Sequence, residues 1–308
     1  MSLERDSLIY KTRRKLQVLA HKIVSDEALS KFYYRIVMKE ELSFDDPKTF
    51  NEKIQWMKLY YFPYDPMVVK GADKYAVREY VEQKGLGHLL NDLLGVWEQA
   101  DQITWDSLPD KFVLKCNHGC AYNILCDDKA LFNKAEAEMQ LKQWLKEDFG
   151  AFNLELHYSR IKPRKIICEE YLGSIITDYK FFCFNGEPKF IYISEDLVHD
   201  RQARIGFYGI DRSKLPMVKA SYADLNDAVF PEYFDRMVND ARTLASDFPF
   251  VRVDFFVMKD RYYFSELTFT PGGGMNDFNP PEYDTIWGKE LDISNVMKEY
   301  GKYRTKKK

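Results

Sequence analysis

The sequence predicts an α+β protein, from two strand hairpins and a set of amphipathic helices. Phe250 to Gly274, FVRVDFFVMKDRYYFSELTFTPGGG, places two runs rich in Val, Phe and Tyr on either side of a short charged connection, the pattern of a tight antiparallel hairpin. Asp178 to Phe184 alternates polar and apolar residues, turns at Asn185-Gly186 and returns as Glu187 to Ile193, a second hairpin. Helical spacing of apolar residues covers the chain from its N-terminus to Asp45, then Lys129 to Phe149 and Pro231 to Asp247.

Composition narrows the class. A chain of 308 residues with 45% hydrophobic and 16% aromatic residues can bury a large core divided over more than one lobe. Its net charge of -3, from 45 basic and 48 acidic residues, gives no basic field for nucleic acid, and the basic end Lys302 to Lys308 reads as a solvated tail. No apolar run reaches the ~18 residues that span a bilayer, and MSLERDSLIYKTRRKL lacks the apolar centre of a secretory signal, so the expected location is cytoplasmic. The cysteines, Cys116, Cys120, Cys126, Cys168 and Cys183, are odd in number and scattered, which argues against a disulfide framework. Cys116, His118 and Cys120 do not have the paired spacing of a zinc site.

In chain order, the first helical stretch carries Arg13, Arg14, Lys15, Lys22, Lys31 and Arg35 on a background of Leu, Ile and Tyr. Such a helix either packs on the domain with a solvated face or rests on an anionic membrane as a peripheral contact. Phe50, Ile54, Met57 and Tyr61 mark the next helix, ended by Pro63 and Pro66, and Asp73 to Val81 marks another. Phe112 to Cys116 reads as a buried strand interrupted by Lys115, an ammonium that needs an anion or a route to the surface. His118 lies in the turn that follows. In the helix from Lys129, the expected apolar face is Leu131, Ala135, Met139, Leu141, Trp144 and Leu145. A short strand, Lys165 to Cys168, ends in Glu169-Glu170-Tyr171-Leu172-Gly173, where backbone groups and a carboxylate suit an adenine and ribose hinge. Lys180 shares a face with Phe182 and Phe184, while Arg201 and Arg204 fall in a polar stretch that reads as an exposed loop or an anion contact.

The chemistry concentrates in the last hairpin. If its loop is the three residues Lys259-Asp260-Arg261, Asp254 lies directly opposite Glu266, with Arg252 and Thr268 on the same face. Val251, Val253 and Phe255 then share the other face with Tyr263, Leu267 and Phe269. A two-residue loop would shift the pairing and move Glu266 off the face of Asp254. Opposed carboxylates about 5 Å apart at Cβ repel unless a proton or cation intervenes, and a hard cation such as Mg²⁺ takes oxygen ligands of this kind. A solvated pair with Arg252 as its salt-bridge partner is the plainer alternative.

These motifs resemble the ATP-grasp superfamily. PKTFNEKIQWMKLY, DKYAVREYV, LPDKFVLKCNHG, DYKFFCFNGEPKFI, FPFVRVDFFV and FSELTFTPGGG together resemble the TupA-like, teichuronopeptide-biosynthesis ATP-grasp family from about Phe44 to about Pro281. The resemblance implies an ATP-grasp fold in which two α+β subdomains clasp ATP. A mainly helical region at 1–107 would precede one subdomain with its hinge at 108–172 and a second with the metal hairpin at 173–308. It implies that Lys115 and Lys180 contact nucleotide phosphates with His118 close by, and that Glu169, Glu170, Tyr171 and Leu172 form the hinge. Arg252 would stabilise the transferring phosphoryl group beside Lys180, and Asp254, Glu266 and Thr268 would hold Mg²⁺. Thr268 stands where such sites usually have asparagine.

The implied activity is bacterial and ATP-dependent: carboxylate-amine ligation through an acylphosphate, on a uronic-acid carboxylate of a surface or capsular polysaccharide or its precursor, with an amine as second substrate. A kinase or simple ATP-binding protein on the same fold, and a polysaccharide glycosyltransferase, are the alternatives.

Overall fold

A computed structural model describes residues 8–173, 176–195 and 203–305. The N-terminal part is helical: α1 (Leu8–Ile23), α2 (Asp26–Met38), α3 (Phe50–Tyr60), α4 (Pro66–Ala72) and α5 (Val77–Gln83). A first sheet-forming region follows with β1 (Leu93–Trp97), β2 (Phe112–Cys116), β3 (Asn123–Cys126), α6 (Lys134–Lys146), α7 (Phe149–Asn153), α8 (Leu156–Ser159) and β4 (Ile166–Glu170). The second comprises β5 (Thr177–Phe184), β6 (Glu187–Glu195), β7 (Arg204–Gly209), β8 (Ala223–Asp224), α9 (Phe234–Ala245), β9 (Phe250–Val257) and β10 (Tyr262–Thr268). The helices α10 (Glu282–Glu290), α11 (Ser294–Tyr300) and α12 (Lys302–Thr305) follow.

Two sheets organise the chain, a four-stranded one in the order β1-β4-β2-β3 and a six-stranded one in the order β10-β9-β5-β6-β7-β8. All pairings are antiparallel except β7 with β8, so the fold is α+β as the sequence predicts. The boundary expected between 107 and 108 would fall between β1 and β2, two strands of the same four-stranded sheet. The β1 strand reaches that sheet by pairing with β4, a contact distant in sequence.

Period-2 alternation gives the six-stranded sheet two different faces. Tyr179, Phe181, Val253 and Phe255 point to α9, where Phe181 stacks on Phe234 at 6.0 Å between ring centroids. On the opposite face Phe50, at the start of α3, meets Phe184 at 5.6 Å and Phe250 at 5.1 Å. A capping box fixes that helix start: Thr49 accepts from the Glu52 amide while Glu52 accepts from the Thr49 amide at 3.0 Å. Aromatic packing thus closes one half of the face, up to Phe182 beneath Arg252, and leaves the other half polar.

Several local expectations are revised. Pro66 opens α4 at its N1 position under an Asp65 cap, because a proline lacks only a donor that the first turn leaves unused. Asp73 to Ala76 forms a turn, with Asp73 Oδ1 accepting from the Tyr75 and Ala76 amides at 2.8 and 3.1 Å, and the helix begins at Val77. Of the face expected around α6, Leu131, Ala135 and Met139 are exposed, Leu141 is buried and Trp144 and Leu145 pack on the core, with Ala137 buried in addition. Asn133 caps that helix, so Leu131 lies before its first turn. Glu169 and Glu170 lie within β4 rather than beyond its end. Arg204 lies in β7 and bonds Glu195 at 2.7 Å and Asp227 at 2.9 Å, whereas Arg201 is outside the described residues.

Candidate active site

The hairpin brings Asp254 opposite Glu266, but not through the loop length that the sequence suggests. The turn is tighter: Met258 N–H donates to Arg261 O at 2.9 Å, leaving only Lys259 and Asp260 as loop residues. Continued unchanged, that register would put Asp254 across from Ser265. A β-bulge at Ser265 inserts one residue, so that Phe264 pairs with Phe255 and Glu266 pairs with Asp254. On the turn side of the bulge the tighter loop moves Tyr263 to the face of Phe256 and gives Phe264 the apolar position expected for Tyr263.

Next to this pair, β5 aligns Lys180 with Asp254. Arg252 grips Asp254 with two bonds, Nε to Oδ1 at 2.7 Å and Nη2 to Oδ2 at 2.6 Å. Lys180 Nζ lies 3.0 Å from Asp178 and 3.5 Å from Asp254 Oδ2. The Thr268 hydroxyl accepts from Arg252 and donates to Glu266 Oε1, both at 3.0 Å. Lys74, from the turn before α5, reaches Glu266 Oε2 at 3.4 Å.

Electrostatics follow from this packing. Burial opposes charge on Glu266, but Lys74, Arg252 and Lys180 outweigh it and hold the carboxyl at about 2. Burial likewise disfavours charged Lys180, yet Asp254 and Asp178 raise its pKa above the ordinary value. Lys74 is raised in the same way, chiefly by Glu266. Asp254 is pushed upward by burial against the pull of Arg252 and Lys180.

The four-stranded sheet supplies a second group. Lys115 donates to Glu169 Oε2 at 2.5 Å, from neighbouring strands β2 and β4 on one face. Arg78 reaches Glu169 Oε1 at 3.5 Å and the Asn91 carbonyl at 2.8 Å. Lys74 links the two groups, paired with Glu266 and lying in the field of Glu169. Its turn is fixed by Asn117, whose carbonyl accepts from the Lys74 amide at 3.2 Å and whose side chain donates to Asp73 at 3.0 Å.

The expected hinge is only partly free. Glu170 is exposed, but its carbonyl accepts from Asn91 Nδ2 at 2.8 Å and its amide donates to Asp92 O at 3.0 Å, so its backbone is already engaged. Tyr171 and Leu172 are half-buried outside regular structure. His118 is not part of the site. It is fully buried, with Nε2 3.1 Å from the Trp144 carbonyl and its ring against Tyr122, and burial lowers its pKa to about 4.

Sequence reasoning missed Lys74, Arg78 and Asp178. Lys74 had a readable signal: a cation just before a helix N-terminus is disfavoured by the helix dipole, so it calls for an anion elsewhere. Asp178 shares a face with Lys180 by simple alternation. The charge of Arg78 finds its carboxylate only through the fold.

A separate polar seam lies beneath the glycine run. Gly272, Gly273 and Gly274 have φ of 60, 66 and 74°, a region that glycine enters without a Cβ penalty. From α3, Gln55 donates to the carbonyls of Gly273 and Gly274 at 3.0 Å, and Lys58 donates to Gly273 at 2.9 Å. Burial lowers Lys58 to about 8, partly offset by Glu155, whose carboxylate accepts from Thr270.

A metal would find oxygen donors here. Among the described residues no cluster of His, Cys, Asp or Glu side chains could hold an ion by itself. Asp254 and Glu266 with the Thr268 hydroxyl fit a hard cation that takes its remaining ligands from phosphate and water, as Mg²⁺ does.

The profile of the TupA-like ATPgrasp family matches residues 52–292. The chain belongs to that family. No curated protein matches it. Among solved structures, D-alanine–D-alanine ligase from Bacillus anthracis complexed with ATP aligns at 15% identity and a TM-score of 0.47, over 74% of this chain and 68% of that one. L-amino acid ligase from Bacillus licheniformis aligns at 15% identity and a TM-score of 0.48, over 88% of this chain and 63% of that one. D-alanine–D-alanine ligase from Helicobacter pylori aligns at 14% identity and a TM-score of 0.42, over 79% and 69%.

Proposed function

We propose that the protein is an ATP-dependent carboxylate-amine ligase that works through an acylphosphate. The observation that carries this reading is the convergence of Lys180, Arg252, Asp254 and Glu266 on one sheet face, joined by Lys74 to Lys115 and Glu169 on the other sheet, in a chain of the TupA-like ATP-grasp family. In this reading Lys115 and Lys180 contact ATP phosphates, and Glu169 to Leu172 line the nucleoside end. Asp254, Glu266 and Thr268 would hold Mg²⁺, which when bound would supply positive charge to the phosphates.

A substrate carboxylate oxygen attacks the γ-phosphorus, and the bond to the bridging oxygen breaks to release ADP. Lys180 and Arg252 spread the charge that develops on the transferring group, so catalysis rests on positioning and electrostatics. An amine then attacks the acyl carbon; phosphate leaves with the bonding electrons and the nitrogen gives up a proton. The proposed carboxylate is a uronic acid of a surface polysaccharide or its precursor, and the reaction is placed in the bacterial cytoplasm.

The test is phosphate release from ATP and Mg²⁺ with a panel of uronic acids and amines, followed by mass analysis of the products. Amide formation that requires both substrates is expected. A phosphorylated acceptor formed equally without amine would make it a kinase, and turnover of a nucleotide sugar without ATP would overturn the ligase reading.

A further inference from the structure

The α1 and α2 helices carry apolar residues on a face that the fold does not cover. Helix α1 docks through one side: Arg14 lies 4.2 Å over the Phe152 ring and Val18 packs on the core. Leu16, Leu19 and Ile23, spaced three and four residues apart on the opposite side, are 61, 52 and 74% exposed. In α2, Leu29 and Tyr34 are buried, while Phe32 and Ile36 form a second stripe at 58 and 50% exposure. One apolar stripe suffices to dock a helix, so a second one facing outward calls for an apolar partner.

Charge identifies the partner. Helix α1, LIYKTRRKLQVLAHKI, contains no Asp or Glu but has Lys11, Arg13, Arg14, Lys15 and Lys22, in a chain whose acidic residues number 48 against 45 basic ones. The contrast with α6 is informative. Exposed Met139 there, and Leu131 just before the helix, sit among charges of both signs, with Lys129, Lys134, Lys142 and Lys146 beside Asp127, Asp128, Glu136 and Glu138, whereas the charges of α1 are all basic. No helix among the described residues is long and apolar enough to cross a membrane. A basic helix with an outward apolar stripe instead suits the plane of an anionic lipid surface, with side chains in the acyl boundary and cations among the headgroups.

We infer that α1 and α2 form a peripheral docking surface for anionic lipid bilayers, independent of the ATP chemistry.

The experiment is co-sedimentation of the full chain with vesicles of phosphatidylcholine alone or mixed with phosphatidylglycerol, at low and high salt. Binding to the mixed vesicles is expected to be at least roughly tenfold tighter and to weaken with salt. Ile23→Glu with Phe32→Glu, and separately Lys15→Glu with Lys22→Glu, should each reduce it roughly tenfold or more with an unchanged thermal midpoint. Equal binding to both vesicle types, or none to either, would overturn the inference. So would a dimer in sedimentation velocity that Ile23→Glu dissolves, which would assign the face to a second copy of the chain.

Discussion

Lys180, half-buried, and Lys58, fully buried, both lie beside the last hairpin and its glycine run, and their surroundings shift them in opposite directions. On the charged face Lys180 lies between Asp254 and Asp178, and its pKa rises. In the polar seam Lys58 has a backbone carbonyl as its hydrogen-bond acceptor and only a distant carboxylate, Glu155, so burial prevails and its pKa falls to about 8. In the proposed function, the face where carboxylates oppose cations would exchange those partners for phosphate and metal. The seam holds a loop in place. Burial alone does not mark a functional lysine; the neighbours do.

The sharpest way to break this comparison is at the carboxylates. Asp254→Asn or Glu266→Gln should lower Mg²⁺-dependent ATP turnover by ~10³-fold, with the near-ultraviolet circular dichroism retained. Near wild-type turnover in both variants would remove the metal assignment.

Next comes the pH dependence of stability. The unfolded chain keeps the Lys58 proton up to about 10.5 and the folded chain only up to about 8. Between these values the unfolded state binds more protons, so stability rises with pH, by about 3 kcal/mol at 1.36 kcal/mol per unit. Below pH 8 the cost of the buried ammonium is fully present. Lys58→Met should lose that rise in urea titrations from pH 7 to 10, since Gln55 still donates to the Gly273 carbonyl. Glu266 works in the other window: its stabilisation is complete above about 4.5 and is lost as pH falls towards about 2, a slope that Glu266→Gln should flatten.

The smallest expected effect is at Lys115. Lys115→Ala should weaken ATP binding about tenfold, equivalent to ~1.4 kcal/mol, and cost less in stability. Unchanged affinity by calorimetry would detach the four-stranded sheet from the nucleotide.

Much of the fold was legible. The strand β2 runs from Phe112 to Cys116 as its apolar run indicates, and the β5–β6 hairpin turns at Asn185-Gly186, where φ is 51 and 84°. Alternation also placed Lys180 with Phe182 and Phe184, and Arg252 with Asp254, on one face of their strands, while Glu266 and Thr268 join them only through the Ser265 bulge. His118 misled because a histidine after a strand looks the same in sequence whether it points to a ligand or, as here, to a helix carbonyl. The α6 face was read correctly at Leu141, Trp144 and Leu145 but misjudged at Leu131, Ala135 and Met139, because periodicity does not say which stripe the neighbouring sheet covers.

The sequence by itself determined the period of each strand, the turns at glycine and asparagine, and the residue types that can meet phosphate and metal. These are local properties, set by backbone sterics and alternation within a few residues. Tertiary structure decided the rest: the Ser265 bulge that restores Asp254 to Glu266 across a tighter turn, and the pairing of Lys74 with a carboxylate 192 positions away. It also decided that β1 joins β4, and that Phe50 closes one half of the sheet face and leaves the charged half open. Each is a contact between distant segments, and its free energy depends on how the layers pack.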